Sequence, residues 1–138
     1  MARKVILDAN ALMSPFRTSL RLEDELTRVF GACEPVVTLG VVAELIGLAK
    51  RRPEARAALA LLAKRGWATV GKPARGRRSG DRWSERGRVD DELSRLAVQL
   101  QAAVVTNDRA LKESLLTAGV PVAFLRSRKR LEVEGLVE

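Results

Sequence analysis

Short apolar runs, each closed by polar residues, alternate along the chain with segments whose apolar residues recur every three or four positions. Lys4-Val5-Ile6-Leu7 is the first run; it stops at Asp8-Ala9-Asn10 and predicts a buried strand passing into a polar turn or a helix start. Leu22, Leu26, Val29 and Phe30 then repeat with helical spacing up to Gly31, and Pro35 follows. Val36-Val37-Thr38-Leu39 predicts a second strand. Val41, Val42, Leu45, Ile46 and Leu48 predict a helix, and Pro53 opens another, with Ala55, Leu59, Leu62 and Ala63 on one face and Gly66 at its end. Trp67 to Val70 is a third strand candidate, with Trp67 read as core packing. Further on, Leu93, Leu96, Ala97 and Leu100 mark a helix leading into Ala102-Ala103-Val104-Val105. Leu111, Leu115 and Leu116 mark the next helix, which ends at Gly119 before the run Val122 to Leu125. Strands that are apolar throughout, alternating with helices, predict a doubly wound α/β fold: a three-layer α/β/α sandwich around a short parallel sheet of about five strands.

Composition narrows what such a fold could do. At 138 residues the chain has room for one domain, expected to span 1–138, and 46% hydrophobic residues suffice for its core. It has no histidine, which excludes Ser-His-Asp and Cys-His triads and every His-containing zinc site. The one cysteine, Cys33, cannot form an intrachain disulfide and reads as a small buried apolar residue of a cytoplasmic protein. No apolar run approaches the roughly 20 residues of a membrane helix, and Asp8 interrupts the first run, so neither membrane span nor signal peptide is expected. The formal net charge is +8, and 19 of the 25 basic residues are arginine, whose planar fork suits phosphate; a heat-adapted surface would account for the excess equally well. The charge gathers in two places. Residues 72–88 carry Lys72, Arg75, Arg77, Arg78, Arg82, Arg86 and Arg88 against two acids, with three glycines, Pro73 and Trp83, and predict a flexible loop. Arg126, Arg128, Lys129 and Arg130 form a basic C-terminal segment at 126–130.

In an open parallel sheet ligands bind beyond the carboxyl ends of the strands. Asp8 follows the first strand, Asp108 follows the fourth after Thr106-Asn107, Glu44 lies shortly beyond the second, and Asp90-Asp91 open the helix before the fourth. Asp8, Asp90 and Asp108 each also suit a helix N-cap. Glu44 does not; it sits among Val41, Val42, Leu45 and Ile46, where a carboxylate is costly without a partner. Carboxylates converging on one edge would repel or recruit a cation, and an all-oxygen donor set favours Mg²⁺ or Mn²⁺ over Zn²⁺. With arginines to hold flanking phosphates, phosphodiester hydrolysis by metal-activated water is the chemistry this pattern suits. Trp83 either stacks on an unpaired base or anchors the loop to the domain. A non-catalytic RNA-binding scaffold remains the rival reading, whereas a nucleotide-binding domain lacks its Gly-rich loop.

Lys4 to Met13, Glu44-Leu45, Asp90-Asp91 and Val104-Val105-Thr106-Asn107-Asp108 resemble, in order and spacing, the acidic motifs of the PIN-domain nucleases. The paired Asp90-Asp91 and the ending Phe124 to Glu132 resemble the single-domain archaeal members that are similar to the PIN endonucleases of small-subunit ribosomal RNA processing. The resemblance implies a Mg²⁺- or Mn²⁺-dependent endoribonuclease in ribosome biogenesis, with a toxin of a toxin–antitoxin pair as the alternative. It places catalytic and metal-binding roles on Asp8, Glu44, Asp90 and Asp108, with Asp91 as a substitute for Asp90, and supporting roles on Asn10, Thr106 and Asn107. RNA contacts would come from the basic residues of both segments and Trp83. RNA, a homodimer partner and ribosome-assembly factors are the partners it implies. Ala9 departs from the family pattern, which commonly has Thr or Ser after the first Asp.

Overall fold

The computed structural model describes residues 2–71 and 82–135, with the backbone alone over 82–88. A six-stranded sheet forms its centre: β1 (Arg3–Leu7), β2 (Cys33–Thr38), β3 (Ala68–Val70), β4 (Ala103–Val105), β5 (Val122–Ser127) and β6 (Arg130–Glu134). The helices are α1 (Ala9–Met13), continued by a 3₁₀ turn at Ser14–Phe16, α2 (Leu22–Phe30), α3 (Leu39–Leu48), α4 (Pro53–Arg65), α5 (Arg82–Leu100) and α6 (Arg109–Thr117). The strand order is β3-β2-β1-β4-β5-β6, all parallel except β6 against β5. The expected α/β/α fold is the one observed, with six strands in place of about five.

The central strands are apolar because both sheet faces are covered. Val5, Ile6 and Leu7 of β1 and Ala103 and Val104 of β4 are fully buried, against Leu12, Leu26, Val41, Leu45, Leu93 and Leu115 of the helices. Trp67 packs on this core from its margin, as its position before β3 suggests. Cys33, at the start of β2, is half-buried.

Two elements depart from expectation. In sequence β6 is part of a charged tail: its apolar positions, Leu131 and Val133, alternate for too few residues to stand out among charges. α5 begins at Arg82, so the last seven residues of the loop expected over 72–88 are helical; Arg82 to Arg88 is a polar stretch without the apolar periodicity that would announce a helix. Residues 72–81 lie outside the described residues.

β6 is an edge strand, and α2 seals it. The Leu131 N–H donates to Glu25 Oε1 at 2.9 Å, and Arg28 Nη2 donates to the Leu131 carbonyl at 2.6 Å. Glu25 and Arg28 pair with each other at 2.8 Å, one helical turn apart, so together they occupy the Leu131 N–H and carbonyl, two of the groups a seventh strand would use. The Arg28 hydrogen bond, then that of Leu131, holds the Glu25 carboxyl below its ordinary pKa. Glu25→Ala is expected to lower stability by about 1 kcal/mol and to promote edge-to-edge association, measured by thermal unfolding and light scattering.

Candidate active site

The sheet reverses its winding between β1 and β4: the chain builds outward from β1 through β2 to β3, then returns to start again at β4 on the other side of β1. The carboxyl ends of these two strands are therefore the switch point, where a doubly wound sheet leaves a crevice. Leu7 is level with Val105, and the Asp8 N–H donates to the Val105 carbonyl at 3.2 Å. Ile6 is level with Val36, so two residues beyond that pair, and one beyond Leu7–Val105, Thr38, Asp8 and Thr106 form a row across β2, β1 and β4. Thr38 and Thr106 are completely buried; Asp8 keeps partial access to solvent.

All three strand ends cap helices. Asp8 Oδ1 accepts from the Ala11 N–H at 2.8 Å, Thr38 Oγ1 from Val41 at 3.1 Å and Asp108 Oδ1 from Leu111 at 2.9 Å. The capping expected of Asp8 and Asp108 is thus present. Thr38 does the same work one strand away with a neutral hydroxyl, so capping alone does not explain a carboxylate at Asp8.

That carboxylate is costly. Burial pushes its pKa from 3.8 up to about 6, the Thr106 side chain and the Ala11 N–H pull it down, and the charges of Glu44 and Asp90 raise it further. Glu44 comes from α3, whose start packs on α5, and Asp90 from α5. Asp90 was expected near the start of its helix; it lies nine residues into α5 and is no N-cap, half-buried where Asp91 is exposed. Asp8, Glu44 and Asp90 thus share one electrostatic field, and Asp108 joins through Thr106. Thr106 is hydrogen-bonded to the Asp8 carboxyl, and its Oγ1 accepts from the Asp108 N–H at 3.1 Å.

Asn107 turns the other way. Its Oδ1 accepts from the Leu125 N–H at 2.7 Å, tying β5 to the end of β4. Asn10 is exposed on α1, and its carbonyl accepts from Ser14 Oγ. Arg126, Arg128, Lys129 and Arg130 are exposed at the β5–β6 hairpin; Arg82, Trp83, Arg86 and Arg88 lie on α5 with side chains outside the described residues, as are Lys72, Arg75, Arg77 and Arg78 entirely.

Glu92 escaped the sequence reading. Its carboxyl group lies against Gly40 at the start of α3 and Gly71 just after β3: a Cβ on Gly71 would come within 3.1 Å of it, and one on Gly40 within 3.4 Å. Gly71 also holds φ at +96°, a conformation that side chains disfavour. Glu92 therefore packs the helix bearing Asp90 against the helix bearing Glu44. A glycine at the second position of a largely apolar helix and another just after a strand were the available signals.

A divalent cation suits this donor set in charge and chemistry: the acids are oxygen donors, and the charges of Glu44 and Asp90 both disfavour the ionised form of Asp8. Among the described residues no three acids stand close enough to form a ready-made cage, so binding would require side-chain adjustment.

Fold and site together define a doubly wound α/β domain with an acidic centre at its switch point. The chain belongs to the family of PIN-like domains, whose model matches residues 5–128. Among solved structures it is similar to that of the PIN domain endonuclease Utp24, with 23% identity and a TM-score of 0.75 over 98% of this chain and 93% of that one. It is also similar to a domain of a functionally unknown protein from Methanocaldococcus jannaschii DSM 2661, with 18% identity and a TM-score of 0.59 over 99% of this chain and 100% of the other. At these identities the two likenesses establish the fold. No curated protein matches the chain. No helix among the described residues is long and apolar enough to cross a membrane.

Proposed function

We propose that this PIN-like domain is a divalent-metal-dependent endoribonuclease acting in ribosomal RNA processing. The observation that carries the reading is Asp8: a carboxylate at the switch point whose pKa is pushed up to about 6 by burial and by Glu44 and Asp90, where the neutral Thr38 shows that capping requires no charge. A buried carboxylate at the strand ends that feels two further acids is what a cation site needs. Asp8, Glu44, Asp90 and Asp108 would hold Mg²⁺ or Mn²⁺, which when bound supplies a polarised phosphoryl oxygen and an activated water. Thr106 orients the Asp8 carboxyl and fixes the turn carrying Asp108. The net charge of +8 supports an RNA substrate, with basic residues on α5 and the β5–β6 hairpin as contacts. The likeness to the PIN domain endonuclease Utp24 supports nuclease action; the preference for the ribosomal assignment over the toxin reading comes from the resemblance carried by Asp90-Asp91 and by Phe124 to Glu132, and a cognate antitoxin gene beside this one would reverse it.

The test is cleavage of a labelled, partly single-stranded RNA with Mn²⁺, Mg²⁺ or EDTA. Cutting should require the metal. Asp90→Asn should reduce it at least a hundredfold and exposed Asp91→Asn should leave it within a few-fold, since only Asp90 bears on Asp8. The capping roles of Asp8 and Asp108 favour one rival, an RNA-binding scaffold: RNA bound tightly but never cut with any divalent metal would establish it instead.

A further inference from the structure

β5 does not stop where its neighbour stops. Ala123 is level with Val105, the last residue of β4, yet β5 continues four residues to Ser127 before turning back through Arg128-Lys129 into β6. At about 3.3 Å per residue the hairpin overhangs the end of β4 by about 13 Å. Because β5 is parallel to β1 and β4, the overhang is on the edge that carries Asp8 and Asp108.

Three features distinguish this hairpin from a solvated charge run. Its tip is a two-residue turn bearing Arg128 and Lys129, flanked by Arg126 and Arg130, all exposed. The strand pairing slips between Leu125 and Ser127, a bulge of the kind that bends a strand and re-aims its side chains. Beside it a concavity of about 300 Å³ gathers Arg28, Arg126 and Arg130; Arg28 is committed to Glu25 and Arg126 to Glu132 at 3.3 Å.

The base of the arm is fastened to the acidic centre. Backbone bonds join β4 to β5 at Val104–Pro121 and Thr106–Ala123, and the Asn107 side chain supplies the next acceptor, for the Leu125 N–H. Asn107 stands between Thr106, bonded to Asp8, and Asp108. The arm and the acids are thus held in one frame by consecutive residues.

We propose that the β5–β6 hairpin is a phosphate-anchoring arm that grips an unpaired RNA strand a few nucleotides from the scissile bond, and that Asn107 is the positioning residue that aims it. Arg128, Lys129 and Arg130 make the contacts; Arg126, paired with Glu132, stiffens the arm. Single-stranded RNA is the occupant that the chemistry favours: a narrow basic tip offers charge to a backbone without a groove-filling helix, and it overhangs the centre proposed to cut that strand. The inference rests on the RNA-cleaving reading for its substrate, but it is tested by binding alone.

The experiment measures affinity for a labelled single-stranded RNA across a salt series, in EDTA so that nothing is cut. Each phosphate contact contributes about 0.7 to the slope of log K against log salt for a single strand, so Arg128→Ala/Lys129→Ala/Arg130→Ala should lower that slope by about 2 and weaken binding at least tenfold. Asn107→Ala, with no change in charge, should also lower the slope, because the arm loses its aim; a purely structural role would lower the melting temperature and leave the slope alone. In metal-supplemented cleavage the loss in both variants should fall on KM rather than kcat. An unchanged slope in the folded triple variant, or no RNA binding by wild type, overturns the arm. Slopes that fall as expected in a protein that never cuts RNA uphold the arm and overturn the nuclease.

Discussion

Asp8→Asn is expected to abolish cleavage, by at least a thousandfold, while making the metal-free protein more stable at neutral pH. Asparagine keeps an oxygen for the Ala11 N–H, so the cap survives and the fold with it. What disappears is the negative charge. In wild type the native carboxyl holds its proton up to about pH 6 whereas the unfolded one releases it near 3.8. Between those values the native state binds more protons, so stability falls as pH rises through the window and stays low above it. At 1.36 kcal/mol per unit the difference approaches about 3 kcal/mol, an upper figure because Asp8 keeps some solvent access. Thermal unfolding in EDTA from pH 4 to 8 should show wild type losing stability across that range and Asp8→Asn losing less. Adding Mn²⁺ should raise the wild-type melting temperature most above pH 6, where no proton competes for Asp8, and barely move that of Asp8→Asn. Equal pH profiles and equal responses to Mn²⁺ would remove Asp8 from the site.

Thr106→Val should also lower activity, to a smaller extent and with a pH signature. The Thr106 hydrogen bond is the largest influence holding the Asp8 pKa down, so without it the carboxyl keeps its proton to higher pH. The acid limb of the activity profile should move toward alkaline pH, with a loss of at least tenfold near pH 6 that is partly recovered at pH 8. The Asp108 N–H also loses its acceptor, which adds a stability cost of about 1–2 kcal/mol. Thr106→Ser restores the hydroxyl and should restore both the profile and most of the rate. A uniform loss at every pH, unrelieved by serine, would mean that Thr106 acts only by filling its buried place in the sheet.

The chain by itself determined the alternation of elements and the position of the centre. β1, β2, β4 and β5 were legible because strands buried on both faces must be apolar throughout, and a polar residue directly after such a run stands at the sheet's edge wherever the strand lies. Asp8, Thr106 and Asp108 could therefore be placed at the carboxyl ends before any strand order was known, and the PIN resemblance rested on that same spacing. Three further properties were decided by tertiary structure. Asp90 rather than Asp91 bears on Asp8 because α5 extends back past both and turns Asp90, three residues before buried Leu93 and seven before buried Ala97, to its inner face; the polar start of the helix hid that extension. Glu92 owes its place to two glycines distant in sequence. β6 exists because β5 pairs with one side of its backbone and the Glu25–Arg28 pair takes the Leu131 N–H and carbonyl on the other, so that five residues form a strand that their own pattern is too short to specify. A charge run then becomes an arm over the acidic edge, since parallel pairing fixes where β5 points and the Asn107 bond fixes its base, and neither relation is local in sequence.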